Sequence, residues 1–144
     1  MKKILASLLC AACLAFAGSA SAAVQEFGPD FARFTIDVKD WTPTATPNGA
    51  SFLSPDSSCN VVVAVDKNGG NNAETIAKAV VQQAGVSDAQ EVSKDANNCT
   101  MKGTIQGKDI LISVSVEGDK FYCISINGDI QKGASFIETL DEKK

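Results

Sequence analysis

The sequence predicts an α+β domain with a largely antiparallel β-sheet and two main helices packed against it. Three observations carry this. The stretch from Cys99 to Ile126 alternates apolar and polar residues through three runs separated by Gly-first turns, as two β-hairpins in succession would. A helical stripe of Ile76, Ala77, Val80, Val81 and Ala84 interrupts the strand-like segments once, and a second helix is signalled near Ile130. The order is strands, helix, strands, helix, without the regular strand–helix alternation of a parallel sheet.

Taken in order, residues 1–22 read as a secretory signal peptide. Lys2 and Lys3 precede an apolar run from Ile4 to Ala17, and Ala20-Ser21-Ala22 supplies small residues for cleavage. The run is too short and too alanine-rich for a transmembrane helix, so no stable membrane insertion is expected after cleavage. Residues 23–144 then form a single domain of 122 residues, long enough to enclose a core. Losing Lys2 and Lys3 takes 13 basic residues to 11, against 17 acidic ones, a net charge of −6. An acidic chain without a basic stripe argues against nucleic acid as a partner.

Ala23 to Asp30 is read as a short lead-in. Phe31 to Val38 is a strand with Ala32, Phe34, Ile36 and Val38 on one face. Thr42 to Gly49 holds Pro43 and Pro47 and is read as a loop, since proline removes a ladder donor. Ala50 to Ser54 is a short strand and Pro55 to Ser58 a turn cluster. Cys59 to Asp66, rich in valine, should be a central, well-covered strand. Asn71 or Asn72 can cap a helix from Ala73 to Ala84, which Gly85 ends. Val86 to Asn98 is polar, with a brief strand around Glu91 to Ser93. Ile130, Ala134, Ile137 and Leu140 form the packing face of the last helix, with Phe136 adjacent, and Asp141 to Lys144 is a frayed charged tail.

In the hairpins, Gly107-Lys108 is taken as the first two-residue turn. It sets Ile105 opposite Ile110, Gly103 opposite Ile112, Met101 opposite Val114 and Cys99 opposite Val116. The second turn, Gly118-Asp119, sets Val116 opposite Phe121 and Val114 opposite Cys123. Cys99, Met101, Ile105, Ile110, Ile112, Val114, Val116, Phe121 and Cys123 then share one face. Tyr122, Ile124 and Ile126 mark partial cover on the other.

The chain contains no histidine, which removes the commonest general base, the Ser-His and Cys-His nucleophile pairs and the commonest zinc ligand. No metal site and no cofactor are expected. The stretch from Asp66 to Glu74 begins like a calcium loop but lacks the second carboxylate, the sixth-position glycine and the twelfth-position glutamate, so an ordinary helix-start loop is favoured. The carboxylate pairs Asp37/Asp40 and Glu117/Asp119 fall at strand exits and hairpin tips, where solvation explains them. Trp41, beside Pro43 in a long loop, is the candidate binding residue, and closing the end of the core is the commoner use of such a position.

After cleavage Cys59, Cys99 and Cys123 remain. One disulfide and one buried thiol account for three cysteines in an oxidising compartment. Cys99 and Cys123 lie on non-adjacent strands, offset along them, beyond the Cα separation of about 7 Å that a bridge allows. Cys59 is therefore expected to bridge one of them, and Cys59–Cys99 is favoured because both stand at strand starts beside Asn/Ser-rich loops, which leaves Cys123 as a small core residue.

Phe34-Thr35-Ile36-Asp37-Val38 followed by Trp41, Ala50 to Asp56, the valine strand at 61–65, the helix at 73–84 and Ala134-Ser135-Phe136 together resemble the PsbP-like family of small secreted accessory proteins. Lys39-Asp40 stands where that pattern usually has a proline before the tryptophan. The resemblance implies an α/β/α-like sandwich and a non-catalytic accessory role, and carries over no catalytic residues. The expected function is a periplasmic or secreted, non-enzymatic binding or accessory module for a protein partner or small ligand. A carboxylate-dependent envelope hydrolase and a thiol- or disulfide-based role are the alternatives.

Overall fold

The structure, a computed structural model, describes residues 23–143. The signal peptide read at residues 1–22 lies outside the described residues. The strands are β1 (Val24–Phe27), β2 (Phe34–Asp37), β3 (Thr42–Thr46), β4 (Gly49–Leu53), β5 (Cys59–Lys67), β6 (Ser87–Lys94), β7 (Asn98–Ile105), β8 (Lys108–Glu117), β9 (Lys120–Gly128) and β10 (Asp141–Glu142). The helices are α1 (Ala73–Ala84) and α2 (Ile130–Phe136), the latter followed by a 3-10 turn at Ile137–Thr139. Seven strands form one sheet in the order β3-β4-β5-β9-β8-β7-β6, and β1-β2-β10 form a smaller one. Every pairing is antiparallel. The architecture is α+β, as predicted.

β5 and β9 stand at the centre of the large sheet and pair over nine residues, from Cys59 opposite Gly128 to Lys67 opposite Lys120. Because side chains alternate across a strand, these strands serve two cores. On one face Val61, Val63, Val65, Tyr122 and Ile126 pack with the small sheet and with Phe136 of α2. On the other, Cys99, Met101, Ile110, Ile112, Val114 and Cys123 pack under Ala73, Ile76 and Ala77 of α1. This second core contains the face expected from the hairpins, with Ile105, Val116 and Phe121 at its margin. Tyr122, Ile124 and Ile126 are covered from the opposite side, again as expected.

α1 has the predicted bounds. The Asn72 side chain accepts from the Thr75 N–H at 2.8 Å, and Gly85 takes the left-handed conformation (φ 73°) that closes the helix. The oxygen-rich loop before it is spent on structure. Asn68, buried, donates from Nδ2 to the Gly118 carbonyl and accepts the Gly70 N–H, each at 2.8 Å, so the loop rests on the β8–β9 turn.

Several expectations are corrected. The first hairpin turn is Gln106-Gly107, both with positive φ (51° and 80°), and not Gly107-Lys108. This is the type I′ arrangement, whose twist suits a two-residue hairpin. Cys99 therefore faces Val114, Met101 faces Ile112 and Gly103 faces Ile110. The partner shift is two residues, so each side chain keeps its face. The second hairpin has the expected register.

Thr42 to Thr46 is a strand and not a loop. β3 is an edge strand, where Pro43 faces Phe52 and its missing N–H costs no interior ladder bond. Pro47-Asn48 is its turn to β4, held to β5 by Val65 N–H donating to the Asn48 carbonyl at 2.8 Å. The lead-in contains β1, whose Phe27 is among the most buried side chains. Val86 to Asn98 carries the eight-residue edge strand β6, exposed along its whole length and paired irregularly with β7. Residues 141–143 are docked, not frayed. β10 pairs with β2, Glu142 accepts the Tyr122 hydroxyl, and the Lys143 N–H donates to the Arg33 carbonyl at 2.9 Å.

The last helix is shorter than its apolar pattern suggests, and its inner face is Gly133 and Phe136 while Ala134 is exposed. Gly133 lets α2 lie close on the sheet, because an added Cβ would stand 2.4 Å from Ile126 Cγ2 and 3.1 Å from Cys59 Sγ. Gly133→Ala should therefore lower the urea-unfolding free energy by about 1–3 kcal/mol through overpacking. β6, with little packed on it, should exchange its amide hydrogens fastest among the strands of the large sheet, and β5 and β9 slowest, in native-state hydrogen exchange.

Candidate functional site

The site is built where three separate segments meet. Val38 to Trp41 form a tight turn after β2, closed by Trp41 N–H to the Val38 carbonyl at 2.9 Å. Asp37 Oδ1 accepts the Lys39 N–H at 3.0 Å, and Lys39 is held at φ 49°. The segment 54–58 between β4 and β5 folds around Asp56, which accepts from the Ser54 hydroxyl (2.8 Å) and from the hydroxyl and N–H of Ser58. α2 starts against it, with the Asp129 N–H donating to the Ser58 carbonyl at 3.0 Å. Asp129 then caps α2 by accepting the Lys132 N–H at 3.1 Å.

Between the turn and α2 lies an open cleft of about 420 Å³. Its floor is the indole of Trp41 stacked on Phe136, with ring centroids 4.1 Å apart and planes 16° apart. Its rim is polar, with Lys39 on the turn, Asp129 at the cap of α2, and Gln131, Lys132 and Ser135 on α2. Trp41 is only 8% exposed, so it closes the core and borders the cleft at once. Of the two uses weighed for it from sequence, closing the core is the one its burial shows.

The electrostatics of the rim are uneven. Lys132 pairs with Asp56 and donates to Ser58 Oγ at 2.9 Å. The Lys132 ammonium, with Ser58 and Ser54, holds the Asp56 carboxyl far below the ordinary carboxylate range, and Asp56 in turn raises Lys132. Lys39 enters no ion pair among the described residues. A second concavity of about 270 Å³ is lined by neutral groups, including Asn68, Asn71, Asn72 and Asn97.

The Cys59–Cys99 disulfide is not formed. Cys59 belongs to the core under α2 and Cys99 to the core under α1, on opposite faces of the sheet, and all three cysteines are buried free thiols. Cys99 and Cys123 both pair with Val114 from either side, so they share a rung instead of being offset. Two inter-strand spacings of about 4.8 Å still separate them, beyond disulfide reach. Burial raises all three thiols, with Asp129 adding to the effect at Cys59 and Glu91 at Cys99; Cys123 is pushed up to about 11.

Of the carboxylate pairs noted in the sequence, Asp37 is occupied by the Ala23 and Lys39 N–H groups and Asp119 by Lys67. Among the described residues, no group of three or more His, Cys, Asp or Glu side chains could hold a metal ion. No described helix is long and apolar enough to cross a membrane. Sequence reasoning reached Trp41 but not Lys39, Asp129, Gln131, Lys132 or Ser135. The Ala134-Ser135-Phe136 motif was the available signal, and it holds the ring on which Trp41 stacks.

Comparison with known proteins bears on the fold. No protein-family profile and no curated protein sequence matches the chain. Solved structures do match, among them the solution structure of cyanobacterial PsbP (CyanoP) from Synechocystis sp. PCC 6803. It is 12% identical, covers 88% of this chain and 96% of that one, and superposes with a TM-score of 0.54. The fold is PsbP-like. A protein from Bacteroides thetaiotaomicron VPI-5482 also matches, at 15% identity, 77% of this chain, 45% of that chain and a TM-score of 0.47. At 12% identity the likeness to cyanobacterial PsbP concerns the backbone arrangement alone.

The buried thiols yield a prediction. Ellman's reagent should modify Cys59, Cys99 and Cys123 slowly in the native protein and at once in denaturant. The folded state holds the Cys123 proton above the ordinary thiol value of 9.0, so Cys123 favours folding fully below that pH. Its contribution should decline as pH rises toward 11, where the folded thiol also ionises, and a Cys123→Ala variant should lack this part of the alkaline limb in pH-dependent unfolding.

Proposed function

We propose that the protein is a non-enzymatic binding or accessory module, exported to the periplasm or secreted, that holds a protein partner or small ligand at the Trp41 cleft. The observation that carries this reading is the cleft itself, with the edge of the Trp41 indole under a rim of polar side chains, of a size ordinary for small-ligand sites. The resemblance to PsbP-like accessory proteins supports it, and the leader read at residues 1–22 supports export. A carboxylate-only hydrolase needs two carboxyl groups facing each other across the substrate. Among the described residues lining this cleft Asp129 is the one carboxylate, and it caps α2. A thiol-based role is disfavoured by burial that keeps the three thiols protonated.

The test is cross-linked capture of the C-terminally tagged full chain from its own cells, read by mass spectrometry, in parallel with Ser135→Arg. Ser135 is exposed on the rim, so the variant should fill the cleft without touching the core. A partner captured by the wild type and lost at least tenfold in Ser135→Arg is the expected result. A partner retained equally by both would place binding elsewhere on the surface.

A further inference from the structure

We infer that the Trp41 cleft takes a small organic acid, a single carboxylate carried on an apolar or planar body. This rests on the binding reading above and narrows it to a ligand class. The first observation is Lys39. Its turn is fixed from both sides, by the Asp37 side chain on the Lys39 N–H and by the Val38–Trp41 backbone bond, and it holds a lysine at φ 49°, a conformation that L-residues adopt at a cost. The result is an exposed side chain on the cleft rim two residues from the indole, with no ion-pair partner among the described residues.

The second observation is the opposite rim. Gln131 and Ser135 are exposed there and offer an amide and a hydroxyl, both able to donate to a carboxylate oxygen. Lys132 adds positive potential, although Asp56 holds its ammonium. The third is the floor, where the exposed edge of Trp41, backed by the buried Phe136 ring, gives a small apolar contact for the body of the acid. Asp129 on the same rim opposes multiply charged anions, so a monoanion fits better than a phosphate ester.

The chain has a single tryptophan, so its emission reports the cleft directly. The full chain is titrated with benzoate, with benzyl alcohol as the uncharged counterpart and phenyl phosphate as the dianion. Benzoate should change Trp41 emission saturably and bind at least tenfold more tightly than either of the others. Lys39→Gln should weaken benzoate at least tenfold, Lys39→Arg should keep it within about threefold, and salt should weaken it in the wild type. Equal binding of benzyl alcohol, or an unchanged Lys39→Gln, overturns the organic-acid inference and leaves the cleft a binding site for neutral bodies. If none of the probes binds while capture still depends on Ser135, the inference falls and the partner-binding reading stands. If neither occurs, both fall.

Discussion

Five aromatic rings in contact tie the parts of this molecule together. Trp41 stacks on Phe136, Phe136 meets Phe52 at 5.1 Å between centroids, Phe52 meets Phe27 edge-on at 5.3 Å, and Phe27 lies 6.0 Å from Phe34. These rings come from the turn after β2, from α2, from β4, from β1 and from β2. The small sheet, the C-terminal helix and the large sheet are thus joined through one apolar path. Aromatic pairs contribute roughly 0.5–1.5 kcal/mol each beyond their burial, and large rings dominate core energetics. The cleft stands at the outer end of the path, so the residue that closes the core is also the residue a ligand would meet.

The path is possible because the central strands separate two cores cleanly. Along β9, Tyr122 and Ile126 face the aromatic side while Phe121 and Cys123 face α1. The cysteines follow the same parity. Cys59 lies with the aromatic core and Cys99 and Cys123 with the other, and a sheet between two thiols keeps them apart as surely as distance does. A bridge inferred from position in the chain failed because it ignored which face each cysteine takes.

The charges on the cleft rim are unequally engaged. Lys132 is tied to Asp56, and Asp129 is engaged as a helix cap. Lys39 is held by backbone geometry and carries an uncommitted ammonium. Exposed ion pairs contribute little to stability, and in the proposed binding reading the Lys39 ammonium is the charge that recognition would use.

The sequence alone determined features that depend on local periodicity. The alternation from Cys99 to Ile126 named the hairpin residues that pack under α1, and Asn72, the apolar stripe and Gly85 set the bounds of that helix. Even the misplaced turn at Gly107-Lys108 left those faces intact, because a shift of two residues preserves side-chain parity. What depended on distant pairing was decided by tertiary structure. Pro43 was compatible with a strand only because β3 is an edge, and the charged residues at 141–142 form a strand only because β2 offers them an open side. Trp41 and Phe136 meet across most of the described chain, and Lys39 reaches the same rim as Gln131 and Ser135 only after α2 folds back on the sheet. Periodicity encodes the face a side chain takes, whereas the neighbour it meets there is set by chain closure, for which a single sequence carries no local signal.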